Sequence, residues 1–165
     1  MHEVATQILF DKQTGSLVET GICALRAWKV FERAFPIFDV GFDGPAHRQI
    51  RLRMVCPDWN TSPPSIELRS WAGQLLNAVP PDATGMFHQG PHPETGRPFV
   101  CAPGSREYHR HPSHTGDLWD AYRGRSSYDL GGILTQIWHA WRRGRNERPC
   151  ARAERRSGRH TRALA

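Results

Sequence analysis

The chain reads as an α+β protein, an antiparallel β-meander with flanking helices, and three observations carry that reading. Short β-rich runs succeed one another between positions 34 and 69 at intervals too tight for crossover helices. One later segment, 126–144, has the apolar spacing of an amphipathic helix. Between them lies a stretch rich in Gly, Pro and His, with one Cys and no sustained period of either kind, which reads as loop.

Taken in order, the opening "MHEVATQILFDKQTG" carries Glu3 and Asp11 and no apolar run long enough for a signal peptide. Residues 21–33, "GICALRAWKVFER", fit either a helix with Leu25, Trp28, Val30 and Phe31 inward or a pair of strands, and the helix is the expectation. "FPIFDVGF" is the first strand run and "QIRLRMV" the second, joined by "DGPAHR". In the second run Ile50, Leu52 and Met54 alternate with Arg51 and Arg53, so one face is buried and the other wet. "SIELR" follows as a third strand with Ile66 and Leu68 inward. The intervening "PDWNTSPP" must be an irregular flap, because Pro63 and Pro64 have no amide hydrogen to give a ladder. "SWAGQLLNAVPP" predicts one helical turn ended by Pro80 and Pro81.

The late helix is the plainest element. Leu130, Ile133, Leu134, Ile137, Trp138 and Trp141 fall on one face of a 3.6-residue repeat. Ser127 or Asp129 can cap its start, Arg142 and Arg143 suit the negative end of its dipole, and Gly144 can stop it.

A chain of 165 residues makes one ordinary domain, placed at 1–144, with a tail at 145–165. The four cysteines are far apart, which argues for reduced thiols and a cytoplasmic protein. No apolar run approaches the ~20 residues that cross a bilayer, so no membrane role is expected. The net charge of +6 belongs to the tail, since residues 142–165 hold nine arginines against Glu147 and Glu154. That run has no Trp, Tyr or Phe to stack on bases and no apolar period, so it is expected to be disordered and to contact nucleic acid non-specifically through phosphates.

The chemistry concentrates in "HQGPHPETGRPFVCAPGSREYHRHPSHTGDLWDAYR". Cys101 ends a short apolar run just before a Pro-Gly turn, where a thiolate would be a strong nucleophile and an adequate leaving group; the bland alternative is a small buried side chain. His109, His111 and His114 form a His-x-His-x-x-His pattern that, with Cys101, His88, His92 or Asp117, could surround zinc; the alternative is a wet cationic loop. Trp119 and Tyr122 lie where they either cover the thiol or pack in the core. No glycine-rich phosphate loop and no Gly-x-Ser-x-Gly elbow is present.

The succession of strands, a flap with Pro63-Pro64, a further strand, His92-Pro93, Cys101, Trp119 and an amphipathic helix resembles the ubiquitin-conjugating E2 (UBC) fold, especially the small bacterial E2-like proteins. The resemblance spans roughly residues 34–142. It implies that Cys101 takes a ubiquitin-like protein as a thioester from an E1-like activating enzyme and passes it to a target protein. It implies further that His92 organises the loop, that Asp117 or Asp120 orients the attacking amine, and that no cofactor is required. Glu94 stands where the family has Asn after His-Pro, and residues 65–91 form a longer connection than the family uses. The competing expectations are a zinc-binding module built on His109, His111 and His114, and a non-catalytic E2-like binding scaffold.

Overall fold

The two-residue alternation of β3 (Ile50–Val55) sets the architecture: Ile50, Leu52 and Met54 are fully buried while Arg51 and Arg53 keep partial access to water. A computed structural model describes residues 3–43, 49–79 and 84–143. It shows β1 (Trp28–Ala34), β2 (Ile37–Phe42), β3 and β4 (Ser65–Arg69) as one antiparallel sheet in sequence order. Val40 lies opposite Leu52, and Leu52 opposite Leu68, so the apolar side chains of three strands form rows on one face. Those rows share one core with the buried face of α4 (Leu130–Arg143), made of Leu130, Ile133, Leu134, Ile137, Ala140 and Trp141. Asp129 caps α4 by accepting from the Gly132 amide at 2.6 Å. The expected stop at Gly144 and the tail at 145–165 lie outside the described residues.

The opposite face of the sheet carries a charged network beside the Phe31 and Trp71 rings, with Arg51 lying over Phe31. Asp39 on β2 is fully buried and accepts from Arg51 at 2.6 and 2.8 Å and from Arg53 at 3.3 Å, while Arg53 also pairs with Glu32 at 2.6 Å. A buried carboxylate is tolerable only with such partners.

Two expectations need correction, and one helix is not read from the sequence. Residues 21–33 are not one helix: only α2 (Ile22–Leu25) is helical, Ala27 turns the chain with φ 53, and Trp28 onward is β1. The pairing of β1 with β2 shifts between Val30 and Glu32, so Phe31 is an extra residue that packs edge-on against Trp71 with ring centroids 4.9 Å apart. That bulge breaks the alternation a strand would show and imitates helical spacing. The segment 70–79 forms turns and one isolated bridge, Arg69 to Leu75, instead of a helical turn, and the expected stop at Pro80 and Pro81 lies outside the described residues. Finally α1 (Glu3–Glu19) precedes the sheet, unannounced by periodicity because Phe10 and Leu17 are buried while Val4, Ile8 and Val18 are exposed.

The flap is firm. Pro63, Pro64 and Trp59 are buried, and the Trp59 indole donates to Gln13 Oε1 on α1 at 3.1 Å. Among the described residues no helix is long and apolar enough to cross a membrane.

Candidate functional site

Beyond the meander, β5 (Phe87–His88) and β6 (Phe99–Val100) form a short antiparallel hairpin, and the Cys101 amide prolongs it by donating to Met86 O at 2.8 Å. The chain then turns through Gly104, whose φ of +99 suits glycine, into α3 (Arg106–Arg110). Ser105 is buried and caps that helix, its Oγ donating to Val100 O at 2.6 Å and accepting from the Tyr108 amide at 3.1 Å. Cys101 therefore sits, half-buried, in a connection tied down on both sides.

Helix α3 is stapled to the sheet by a side chain that sequence reasoning passed over. Glu107 is buried and accepts from Ser65 Oγ at 2.5 Å and from the Ile66 amide at 3.1 Å. The Arg106 amide and guanidinium donate to the carbonyls of Pro64 and Pro63 at 2.8 and 3.2 Å, so the flap also grips α3. Prolines lack donors but keep acceptors, and here those acceptors are used.

His92 closes the β5–β6 connection. It is 1 % exposed; its Nε2–H donates to the Glu107 carbonyl at 2.9 Å and its Nδ1 accepts from the Glu94 amide at 3.2 Å. Both ring nitrogens are committed, which suits the loop-organising part expected of it. Glu94 itself is exposed and pairs with Arg110 at 3.5 Å.

The three histidines expected as metal ligands part company. His109 donates from Nδ1 to Asp117 O at 2.7 Å and accepts at Nε2 from the Gly104 amide at 3.3 Å, leaving it no lone pair for a metal. His111 lies flat against Phe99, 5.6 Å between centroids, with Nδ1 turned to Ser113. Burial and the neighbouring His92, His114 and His88 hold its pKa below the ordinary histidine value. His114 turns the other way, with Nε2 3.6 Å from the sulfur of Cys101. Among the described residues no group of three or more His, Cys, Asp or Glu side chains is placed to hold a metal ion.

Beneath His114 lies Tyr108, stacked on it at 3.9 Å with planes 19° apart. The Tyr108 hydroxyl donates to Asp117 Oδ2 at 2.6 Å, and the Tyr122 hydroxyl reaches both Asp117 oxygens at 2.7 Å. Those bonds hold the Asp117 carboxyl below its ordinary value and push both tyrosine hydroxyls up. Asp117 thus meets the site through Tyr108, while Asp120 pairs with Arg123 at 2.7 Å. Trp119 is buried and packs toward Trp59 of the flap, donating to Asn60 O at 3.0 Å.

With the geometry in view, the comparisons fall on this half of the molecule. A model described as "Y4jH-like: Y4jH family" matches residues 77–143. That span runs from the approach to β5 through Cys101, α3 and the histidines to the end of α4, and leaves out the meander. A relative, "Uncharacterized protein y4jH" of Sinorhizobium fredii (strain NBRC 101917 / NGR234), is 46% identical over 41 residues. The match takes in 25% of this chain and 20% of that protein, so the chain spans about a fifth of its relative's length.

The thiols differ sharply. Burial pushes the Cys56 thiol up to about 12 and raises that of Cys23, and both side chains are buried. Burial also raises Cys101, yet this is the partly accessible thiol with an imidazole beside it. Cys150 lies outside the described residues.

Proposed function

We propose that the protein is an E2-like carrier that holds a ubiquitin-like protein as a thioester on Cys101, receiving it from an E1-like activating enzyme and passing it to a target amine. The observation that carries this reading is the placing of Cys101: half-accessible, one residue past a hairpin whose His92-Pro93 turn is bonded to α3, beyond a four-stranded meander and a proline flap. A carrier needs a thiol that is reachable yet fixed, because the acyl group must meet two different partners in turn. The other two described cysteines are sealed in the core. The chemistry as written uses no cofactor and belongs in a reducing cytoplasm, where thiols stay free. In place of the family's Asn, the amide of Glu94 rests on His92 and so holds the turn from the backbone.

The test is direct. Incubated with ATP, an E1-like enzyme and its ubiquitin-like protein, the wild type should form an adduct that thiols cleave, and Cys101→Ser should form one that thiols spare. Absence of any reductant-sensitive adduct across cognate E1-like partners removes the reading. One atom of zinc per chain in untagged protein would overturn the claim that no metal is needed.

A further inference from the structure

We infer that His114 is the proton-transfer residue of the Cys101 site and that Tyr108, anchored by Asp117, is the positioning residue that holds it against the sulfur. The inference rests on the carrier reading and deepens it, since that reading requires a thiol but says nothing of where its proton goes.

Three observations converge. First, five histidines, 88, 92, 109, 111 and 114, lie on or near this loop, and His114 is the one that places a ring nitrogen on the sulfur, at 3.6 Å. His92 and His109 have both nitrogens in bonds to the backbone. His111 has its Nδ1 toward Ser113 and its ring on Phe99, and the Nδ1 of His88 is 3.1 Å from both the amide and the carbonyl of Gly90. Second, the His114 ring is held by a stack on Tyr108 at 3.9 Å, a contact that fixes both height and tilt. Third, Tyr108 cannot rotate freely because Asp117 takes its hydroxyl, and Asp117 is fixed in turn by the Tyr122 hydroxyl and by its carbonyl's bond from His109. Each link constrains the next, and the series ends at Cys101.

Neutral His114, with Nε2 unprotonated, takes the proton from Sγ. The thiolate attacks the carbonyl carbon of the incoming thioester, the bond from that carbon to the donor's sulfur breaks, and the imidazolium returns its proton to the departing thiolate. In discharge, a neutral amine attacks the Cys101 thioester, His114 takes one of its protons, and the carbon–Sγ bond breaks. The groups that face His114 are Cys101 after β6, Tyr108 on α3, and His111 and Asp117 in its own loop.

The experiment needs no biological partner. Acylation of the full chain by a synthetic peptide thioester ending in Gly-Gly is followed by intact mass from pH 5 to pH 9, with N-acetylcysteine as the unassisted reference. Wild-type acylation should outrun the reference at neutral pH and fall on the acid side of its profile, where the base becomes protonated. His114→Gln should slow acylation at pH 7 on the order of a hundredfold, and its profile should follow thiol ionisation alone, still climbing at pH 9. Tyr108→Ala should approach the same loss, and Tyr108→Phe, which keeps the stacked ring, should stand between. A wild-type profile that runs parallel to that of N-acetylcysteine across the whole range overturns the assignment whether or not any variant folds. A His114→Gln rate equal to the wild type overturns it too, while leaving the carrier reading intact. Wild-type acylation no faster than that of N-acetylcysteine removes both.

Discussion

His92 offers the cleanest separation of a residue that builds the site from one that performs chemistry. Its imidazole is 1 % exposed, packs edge-on with Phe99 with centroids 4.9 Å apart, and ties its own turn to helix α3 through two hydrogen bonds. Substituting Ala removes both bonds and leaves a void. The Glu107 carbonyl, buried under the turn, loses its imidazole donor at about 1–2 kcal/mol, whereas the Glu94 amide is at the surface and water replaces the lost bond at little cost. Emptying the ring volume adds about 2 kcal/mol, the low end for a large-to-small change, because a two-stranded hairpin can settle inward. The sum, roughly 3–4 kcal/mol, corresponds to a fall in melting temperature of about 6–16 °C for a domain of this size.

Two further variants divide the effect. In His92→Gln the amide nitrogen can reach the position of Nε2 and keep the buried bond. In His92→Asn the side-chain oxygen can sit where Nδ1 was and keep only the exposed one. Thermal unfolding followed by circular dichroism should therefore rank wild type, Gln, Asn, Ala in falling order. Equal stability of the Gln and Asn variants, or an Ala variant within about 2 °C of the wild type, would refute the claim that the bond to Glu107 holds this turn. Thioester loading by His92→Gln should stay close to wild type at temperatures where it is folded; complete loss of loading would show that His92 touches the reacting atoms.

Burial and charge set the outcome elsewhere in the molecule. Iodoacetamide should modify Cys101 well before Cys23 or Cys56 in a Cys150→Ser background, and the two buried thiols should react only when urea unfolds the chain; peptide mass mapping reads the order. Asp39→Ala should cost about 3 kcal/mol, because it leaves Arg51 without its carboxylate on the back of the sheet while Arg53 keeps Glu32, and urea titration would expose a smaller loss. Gly132→Ala should destabilise despite the ~1 kcal/mol helix preference of alanine, since the new methyl would meet backbone at Ser127, its carbonyl oxygen 2.5 Å away; a higher melting temperature would contradict it. The Tyr108 and Tyr122 hydroxyls titrate higher when folded than when unfolded, so their bonds to Asp117 should contribute fully below about pH 10 and be lost as pH rises further. Asp117 titrates lower when folded, so the same bonds persist above about pH 4 and weaken as pH falls through its depressed value. Tyr108→Phe combined with Tyr122→Phe should flatten the alkaline limb of a stability–pH curve.

What the sequence made legible follows from how local each signal is. Alternation in β3 and β4 and the apolar face of α4 involve neighbours within a few residues, and Ile50, Leu52, Met54, Ile66, Leu68, Leu130, Ile133, Leu134 and Ile137 are all buried as read. The bulge at Phe31 defeated the same reasoning in β1, because one extra residue turns a period of two into spacing that a helix would also give. Helix α1 failed for the opposite reason: its exposed Val4, Ile8 and Val18 erase the stripe that would mark a buried face.

The site shows the same division between local and distant signals. Cys101 and His92 stood out because a motif carries them within ten residues, whereas the imidazole facing Cys101 is thirteen residues further on, brought back by α3 and the 3-10 turn Pro112–His114. Counting histidines by spacing grouped His109, His111 and His114 as ligands of one metal. Each ring in fact answers to a different neighbour: backbone for His109, Phe99 and Ser113 for His111, sulfur for His114. The deciding residues were Glu107 and Tyr108, which no motif marks. Glu107 fixes α3 to β4 and Tyr108 tilts His114, so the rotation of one short helix decides which histidine meets the thiol. A Glu107→Gln variant, which keeps one acceptor but gives up the charge that receives both Ser65 and Ile66, should therefore slow Cys101 acylation more than it lowers stability. If rate and melting temperature fall strictly together across such α3 variants, the helix is only a brace, and its orientation does not set the chemistry.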